Sequence, residues 1–200
     1  MIEQETVLRR FAAAVEDAHA QLTELDQRSG DGDFGDNLRT GVRTAVARFD
    51  ADGGSALGAL GEVFLDEVGG TSGPLFGLLF TEIARGLAES DDLAGFRAGA
   101  GAGLAAIQRV GEAEVGYRAL VDALTPAVDA AEQGFAAAAR GAAAGAEGTA
   151  RLRARMGRAS YVGERALGEP DRGALGIALL FWAFAAATEP ADAPAAPLPR

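Results

Sequence analysis

The segment Leu25-Asp26-Gln27-Arg28-Ser29-Gly30-Asp31-Gly32-Asp33-Phe34-Gly35-Asp36-Asn37 gathers four carboxylates around three glycines. Carboxylates this close repel one another unless a cation lies between them. Hard cations such as Mg2+ and Ca2+ take oxygen ligands of this kind. The spacing is not that of an EF-hand: counting from Asp31, Asp36 stands where the invariant glycine belongs and Val42 where the bidentate glutamate belongs. From the residues alone, two readings stay open. In one, the aspartates cap the following helix in a solvated turn. In the other, Asp26 ends one helix and joins Asp31 and Asp33 on a metal ion, while the next helix turns its N-terminal amides and positive dipole end toward phosphate oxygens.

Composition removes much other chemistry. The 200 residues include no cysteine and one histidine, His19, which excludes thiolate ligands and a cysteine nucleophile and argues against a multi-histidine metal site or a Ser-His-Asp triad. His19 reads as an ordinary side chain on the first helix. Every basic residue is arginine, so neither a Walker-type lysine nor a Schiff base is available. The net charge of −11 opposes nucleic acid and anionic membranes, so a phosphate-bearing ligand needs a metal or a few arginines to hold it locally. The longest apolar candidate, 174–187, has the length of a core helix and not of a membrane span. The acidic start, Met1-Ile2-Glu3-Gln4-Glu5, lacks the pattern of a secretory signal, and the expected location is the cytoplasm.

The elements that must position these residues are helices. Alanine, leucine, glutamate and arginine recur at three-to-four spacing and β-branched runs are nearly absent. The pattern predicts helices near 3–24, 36–50, 55–67, 73–88, 91–109, 118–131, 134–154 and 173–187. Turn residues place loops at 30–35, 69–73, 111–116 and 157–172. Gly99, Gly101 and Gly103 follow no strand, so close helix packing explains them better than a dinucleotide fingerprint. Phe11, Phe64, Phe76, Phe80, Phe181, Trp182 and Phe184 are expected in the core, as is Tyr161. The chain reads as one domain over 1–187, with a disordered Pro/Ala-rich tail over 188–200 that carries four prolines.

The carboxylate loop resembles the metal-binding segment of the nucleotide-binding, or L, subunit of dihydroxyacetone kinases. Three further segments are similar to that family in the same order: Gly69-Gly70-Thr71-Ser72-Gly73-Pro74-Leu75-Phe76-Gly77 to its glycine-rich phosphate loop, and both Gly157-Arg158-Ala159-Ser160-Tyr161-Val162-Gly163-Glu164-Arg165 and Gly168-Glu169-Pro170-Asp171-Arg172-Gly173-Ala174 to its C-terminal signature. The resemblance implies an all-α fold, an eight-helix antiparallel up-and-down barrel or bundle. It implies Mg2+ on Asp26, Asp31 and Asp33, and ADP or ATP as the bound nucleotide. Phe34, Gly35, Asp36 and Asn37 would start the helix beneath the phosphates, to which Thr71 and Ser72 would donate. Gly111, Leu120 and Arg158 would line the base and sugar side, with Asp171, Arg172 and Gly173 completing that wall.

The same resemblance implies phosphoryl transfer to a short-chain hydroxyketone held by a partner, a substrate-binding K-type subunit. The phosphate source is ATP or a phosphotransferase-system protein that rephosphorylates bound ADP, and the sequence does not choose. No nucleic acid or membrane partner is expected; a homodimer is compatible with the sequence. Several positions depart from the family. Phe34 replaces a usual histidine or threonine, Tyr117-Arg118-Ala119 stands where an Asp-Lys-Thr run would follow Gly116, and Arg172 replaces a usual proline. The segment from Ala119 to Gly157 is shorter than usual, which implies a trimmed sixth and seventh helix. Two alternative functions follow from these departures: a different small acceptor, or a regulatory module that binds nucleotide or an apolar ligand without turnover.

Overall fold

The three-to-four spacing produces helices almost throughout: α1 (Gln4–Ser29), α2 (Phe34–Asp52), α3 (Ala56–Asp66), α4 (Ser72–Glu89), α5 (Leu93–Gly111), α6 (Val121–Ala130), α7 (Phe135–Gly148), the one-turn α8 (Ala159–Val162) and α9 (Arg172–Thr188). The computed structural model describes residues 1–155, 159–162 and 166–198, and among these there is no strand, as the all-α expectation requires. Polar caps set several starts. Ser55 accepts from Gly58 N at 3.0 Å for α3, Asp92 from Ala94 N at 2.9 Å for α5, and Asp171 from Ala174 N at 2.9 Å for α9. Helix α1 runs past its expected end to Ser29, so Asp26 sits in its last turn.

Each long helix packs on the next in sequence, from α1 on α2 through to α6 on α7; α7 then packs on α9, and α9 returns to α1. Short connections between packed neighbours make them antiparallel, and the ring closes. This order has a consequence for function: the α1–α2, α3–α4, α5–α6 and α7–α9 junctions all fall at one end. These are the four glycine-rich loops, brought together by topology although they are scattered along the chain.

Helix α9 is apolar nearly all round and correspondingly buried, packing on α1, α6 and α7, with Phe181 and Phe184 fully enclosed. Phe11, Phe64, Phe76 and Phe80 form the other aromatic cluster, with Phe64 edge-on to Phe80 at 5.0 Å. Trp182 is partly buried at the edge of this core. Tyr161, expected in the core, is instead 90% exposed. The α4–α5 contact brings backbones together: a Cβ added at Gly99 would lie 2.5 Å from Glu82 O, and one at Gly103 2.6 Å from Leu79 Cδ1. Close packing therefore explains Gly99 and Gly103, but not Gly101, whose nearest neighbour would be 4.0 Å away. Helices α6 and α7 have 10 and 14 residues.

The tail does not trail into solvent over the residues described. Glu189 accepts from Phe135 N at 3.1 Å and Ala136 N at 2.8 Å, capping α7. Trp182 Nε1 donates to Pro194 O at 3.0 Å, and Pro197 and Leu198 reach a surface depression beside Gln21, Glu24 and Arg28. Proline lacks a donor but keeps its carbonyl, which lets this segment be held from outside without regular structure. The tail thus runs back along the barrel toward the end that carries the glycine loops. Among the described residues, no helix is long and apolar enough to cross a membrane.

Candidate functional site

The last turn of α1 and the loop that follows bring one carboxylate oxygen from each of Asp26, Asp31 and Asp33 within 4.8 Å of one another. Asp26 is buried, while Asp31 and Asp33 are exposed. Asp33 precedes α2 but gives it no side-chain cap. The first amide of α2, Phe34 N, donates instead to Asp26 Oδ2 at 2.9 Å. Capping and carboxylate convergence, posed as alternatives from the residues, are thus both present, with Asp26 doing the capping.

Asp26 Oδ1 lies 2.7 Å from Arg172 Nε, with side-chain exposures of 1% and 17%. The contact is an ion pair without a directed hydrogen bond, since this buried oxygen has no aligned donor. A buried carboxylate oxygen lacking a donor is costly in a protein interior. Asp26 shares its surroundings with two further carboxylates, one oxygen from each of the three lying within 4.8 Å of the others, and such an oxygen-rich set suits a hard divalent cation, so the residues present fit the metal that the sequence implied.

Beside this cluster lies a cavity of about 390 Å³ that draws its lining from all four junctions. Phe34 comes from the first, Thr71 and Ser72 from the second, Gly111 and Leu120 from the third, and Asp171, Arg172 and Gly173 from the fourth. Eight of the twelve nucleotide-site residues expected from sequence are therefore gathered on one cavity wall. Thr71 gives α4 no side-chain cap, which leaves the first amides of that helix without a capping group from it.

Three of the remaining four are placed differently. Gly35 is pressed against α1, where an added Cβ would meet Thr23 Oγ1 at 2.2 Å, and it does not line the cavity. The Asp36 side chain points to α1 as well, with Oδ1 2.8 Å from His19 Nε2 and 2.9 Å from Arg39 Nη2, and it does not line the cavity. The His19 hydrogen bond, supported by the charges of His19 and Arg39, holds the Asp36 carboxyl below the usual carboxylate range. Asn37 carries its amide nitrogen to the Gly70 turn, 3.9 Å from where a Cβ would stand. Arg158, together with Arg165, lies outside the described residues.

The departures at Phe34 and Tyr117 have structural explanations. Phe34 is 5% exposed and its ring packs 6.3 Å from Phe76, so a polar side chain has been exchanged for core contact. Tyr117 lies under the Arg155 guanidinium at 5.6 Å. Arg118, in the left-handed region at φ 59, is 3% exposed and donates from Nη2 to Ala166 O at 2.8 Å and Glu169 O at 3.0 Å. Its Nε and Nη1 have no partner among the described residues, and the side chain lines the cavity. Burial lowers its pKa while Asp171 opposes that shift, and burial raises the Asp171 carboxyl against the pull of Arg172.

Sequence reasoning missed the residues that hold this rim together. Asp122 accepts from Gly116 N at 2.6 Å and Ala119 N at 2.8 Å, closing the α5–α6 loop. Thr149, fully buried, accepts from Asp171 N at 2.7 Å and donates to Ala146 O at 2.5 Å. An acidic residue in the first turn of a helix that follows a glycine loop was the available signal for Asp122; nothing in the sequence marked Thr149. Thr149→Val keeps the volume and strands the Asp171 amide, at a cost of about 1–3 kcal/mol. Thermal denaturation should show a lower Tm, with nucleotide-dependent stabilisation reduced because the α9 wall loses its anchor.

With this geometry established, comparison with known proteins gives the family. Residues 28–186 match the DAK2 domain. The chain belongs to the DAK2 domain family. This DAK2 domain is 35% identical to the ADP-binding subunit of PEP-dependent dihydroxyacetone kinase 1 of Listeria innocua, over 88% of this chain and 91% of that subunit. It is 38% identical to L-erythrulose 1-kinase of Mycolicibacterium smegmatis, over 89% of this chain but 34% of that enzyme. The crystal structure of the dihydroxyacetone kinase from C. freundii in complex with AMP-PNP and Mg2+ is similar with a TM-score of 0.71 and 26% identity, covering 91% of this chain and 33% of the kinase. The DAK2 domain thus spans nearly all of the L. innocua subunit but about a third of the two longer kinases.

Proposed function

We propose that this DAK2 domain is the nucleotide-holding component of a hydroxyketone kinase, with residues 1–187 as the functional unit. The observation that carries this reading is the convergence of Asp26, Asp31 and Asp33 within 4.8 Å at the edge of a cavity built from all four rim junctions. Bound Mg2+ would neutralise phosphate charge during transfer, which needs positioning and electrostatics more than covalent help from the protein. The three aspartates would hold that ion. The N-termini of α2 and α4, through the backbone of Gly35 and Asp36, the side chain of Asn37, and Thr71 and Ser72, would cradle the phosphates of ADP or ATP. Phe34, Gly111, Leu120, Arg158, Asp171 and Gly173 would enclose the base and sugar, with Arg172 standing between that wall and the phosphates. Arg118 adds Nε and Nη1, which have no partner among the described residues, as donors for a phosphate or carbonyl oxygen.

The acceptor would be a short-chain hydroxyketone held by a substrate-binding partner subunit. The similarity to an ADP-binding subunit named as PEP-dependent supports rephosphorylation of ADP by a phosphodonor protein. The 38% identity to an erythrulose kinase supports a second reading, in which the acceptor is a four-carbon ketose and ATP the donor. Turnover assays with dihydroxyacetone and erythrulose, each with ATP or with a phosphorylated donor protein, separate the two. Binding without turnover under every combination would favour a regulatory module.

The site itself is tested without a partner. A ligand that binds the folded state at a hundredfold excess over Kd stabilises by about 2.7 kcal/mol, which corresponds to roughly 5–10 °C in Tm for a chain of this length. ADP with Mg2+ should produce such a rise, and ADP with EDTA should not. In the Asp31→Asn, Asp33→Asn double variant the rise should vanish. A rise that persists unchanged would remove these aspartates from the site.

A further inference from the structure

Arg172 stands at the boundary between the carboxylate cluster and the cavity. Its Nε is 2.7 Å from Asp26 Oδ1, its Nη1 donates to Ser29 Oγ at 3.1 Å, and the side chain forms part of the cavity lining. One guanidinium therefore touches a carboxylate of the cation site and also faces the nucleotide volume. It neutralises Asp26 without satisfying it, because the buried Oδ1 still lacks an aligned donor. A planar guanidinium presents paired donors that match phosphate oxygens better than a misaligned contact to one carboxylate oxygen.

On the basis of the nucleotide-site reading above, we propose that Arg172 is an internal counter-cation that couples metal binding to nucleotide binding. In the ligand-free protein it holds Asp26 and discourages a bare divalent cation. When cation and nucleotide bind together, Arg172 releases Asp26 and turns within the same cavity to the phosphates. The two ligands then bind cooperatively, since each accepts a group that the other has freed. Arg172 acts as a positioning residue here, and its effect is read in affinities rather than turnover.

Calorimetry on the full chain tests this with Mn2+ alone, and separately with ADP at saturating Mg2+. Arg172→Gln should bind Mn2+ roughly tenfold more tightly than wild type, the scale of water-screened repulsion between a divalent and a monovalent cation about 5 Å apart. The same variant should bind ADP with Mg2+ roughly tenfold more weakly, through loss of a charge-assisted phosphate contact. Arg172→Lys keeps the charge and should stay near wild type for Mn2+ while losing part of the ADP affinity. Opposite signs in one variant set this apart from a folding defect, which would weaken both ligands. Unchanged or weaker Mn2+ binding in Arg172→Gln overturns the proposal, as does undiminished ADP binding. Wild-type protein that takes up neither Mn2+ nor ADP with Mg2+ would overturn the nucleotide site itself, whereas normal wild-type binding with an indistinguishable variant would remove only the role of Arg172.

Discussion

Replacing Asp26 with alanine should destabilise the protein by about 2–3 kcal/mol and abolish stabilisation by ADP with Mg2+. Removing one partner of a fully buried ion pair costs roughly 3–5 kcal/mol; the cost here is lower because Arg172 keeps some access to water, at 17% exposure. The substitution also strips the acceptor from Phe34 N at the start of α2. For a chain of this length such a loss lowers Tm by roughly 5–10 °C. Asp26→Asn separates the two effects, since the amide oxygen still accepts from Phe34 N while the charge is gone. It should retain more of the stability and still fail to respond to Mg2+ with ADP, as measured by thermal denaturation with and without both ligands. A response in Asp26→Asn equal to wild type would show that the buried carboxylate takes no part in holding the cation.

The second large effect lies far from the site. In Gly99→Ala the new methyl would sit 2.5 Å from Glu82 O and 2.6 Å from Ile83 Cα, backbone atoms that move only if α4 and α5 part. Overpacking of this kind costs about 3 kcal/mol or more, against a gain of roughly 1 kcal/mol in helix propensity. Gly101→Ala, two residues away on the same helix, meets nothing closer than 4.0 Å and should keep the propensity gain. Urea denaturation of the two variants should therefore move the midpoint in opposite directions. Equal shifts would mean that the α4–α5 crossing is looser than these distances require.

These two glycines show what the sequence disclosed and what it concealed. Helical periodicity located all the long helices because each buries an apolar stripe, and α9 stood out because it is buried on most faces. Periodicity could not tell Gly99 from Gly101, since the distinction depends on which face of α5 meets α4. The aspartate cluster was legible because its carboxylates come from one short segment. The cavity became legible only through family resemblance, as its walls come from four separated junctions that the alternating helix order unites. Thr149 escaped notice, and Arg118 stood out only as a departure from the family, because their importance rests on backbone groups, Asp171 N for one and Ala166 O and Glu169 O for the other, that carry no trace in residue type. The tail was misjudged for a related reason, since its prolines foretell the absence of a helix but not the indole that grips Pro194 O.

The return of that tail along the barrel has a practical outcome for anyone immobilising the protein. Helix α1 begins at the rim opposite the glycine loops, where Ile2 N donates to Asp91 Oδ1 at the α4–α5 turn. A tether fixed to the amino terminus should leave the mouth of the cavity facing outward from a sensor surface. One fixed after Leu198 would emerge beside Arg28 and Glu169, crowding that mouth with the support.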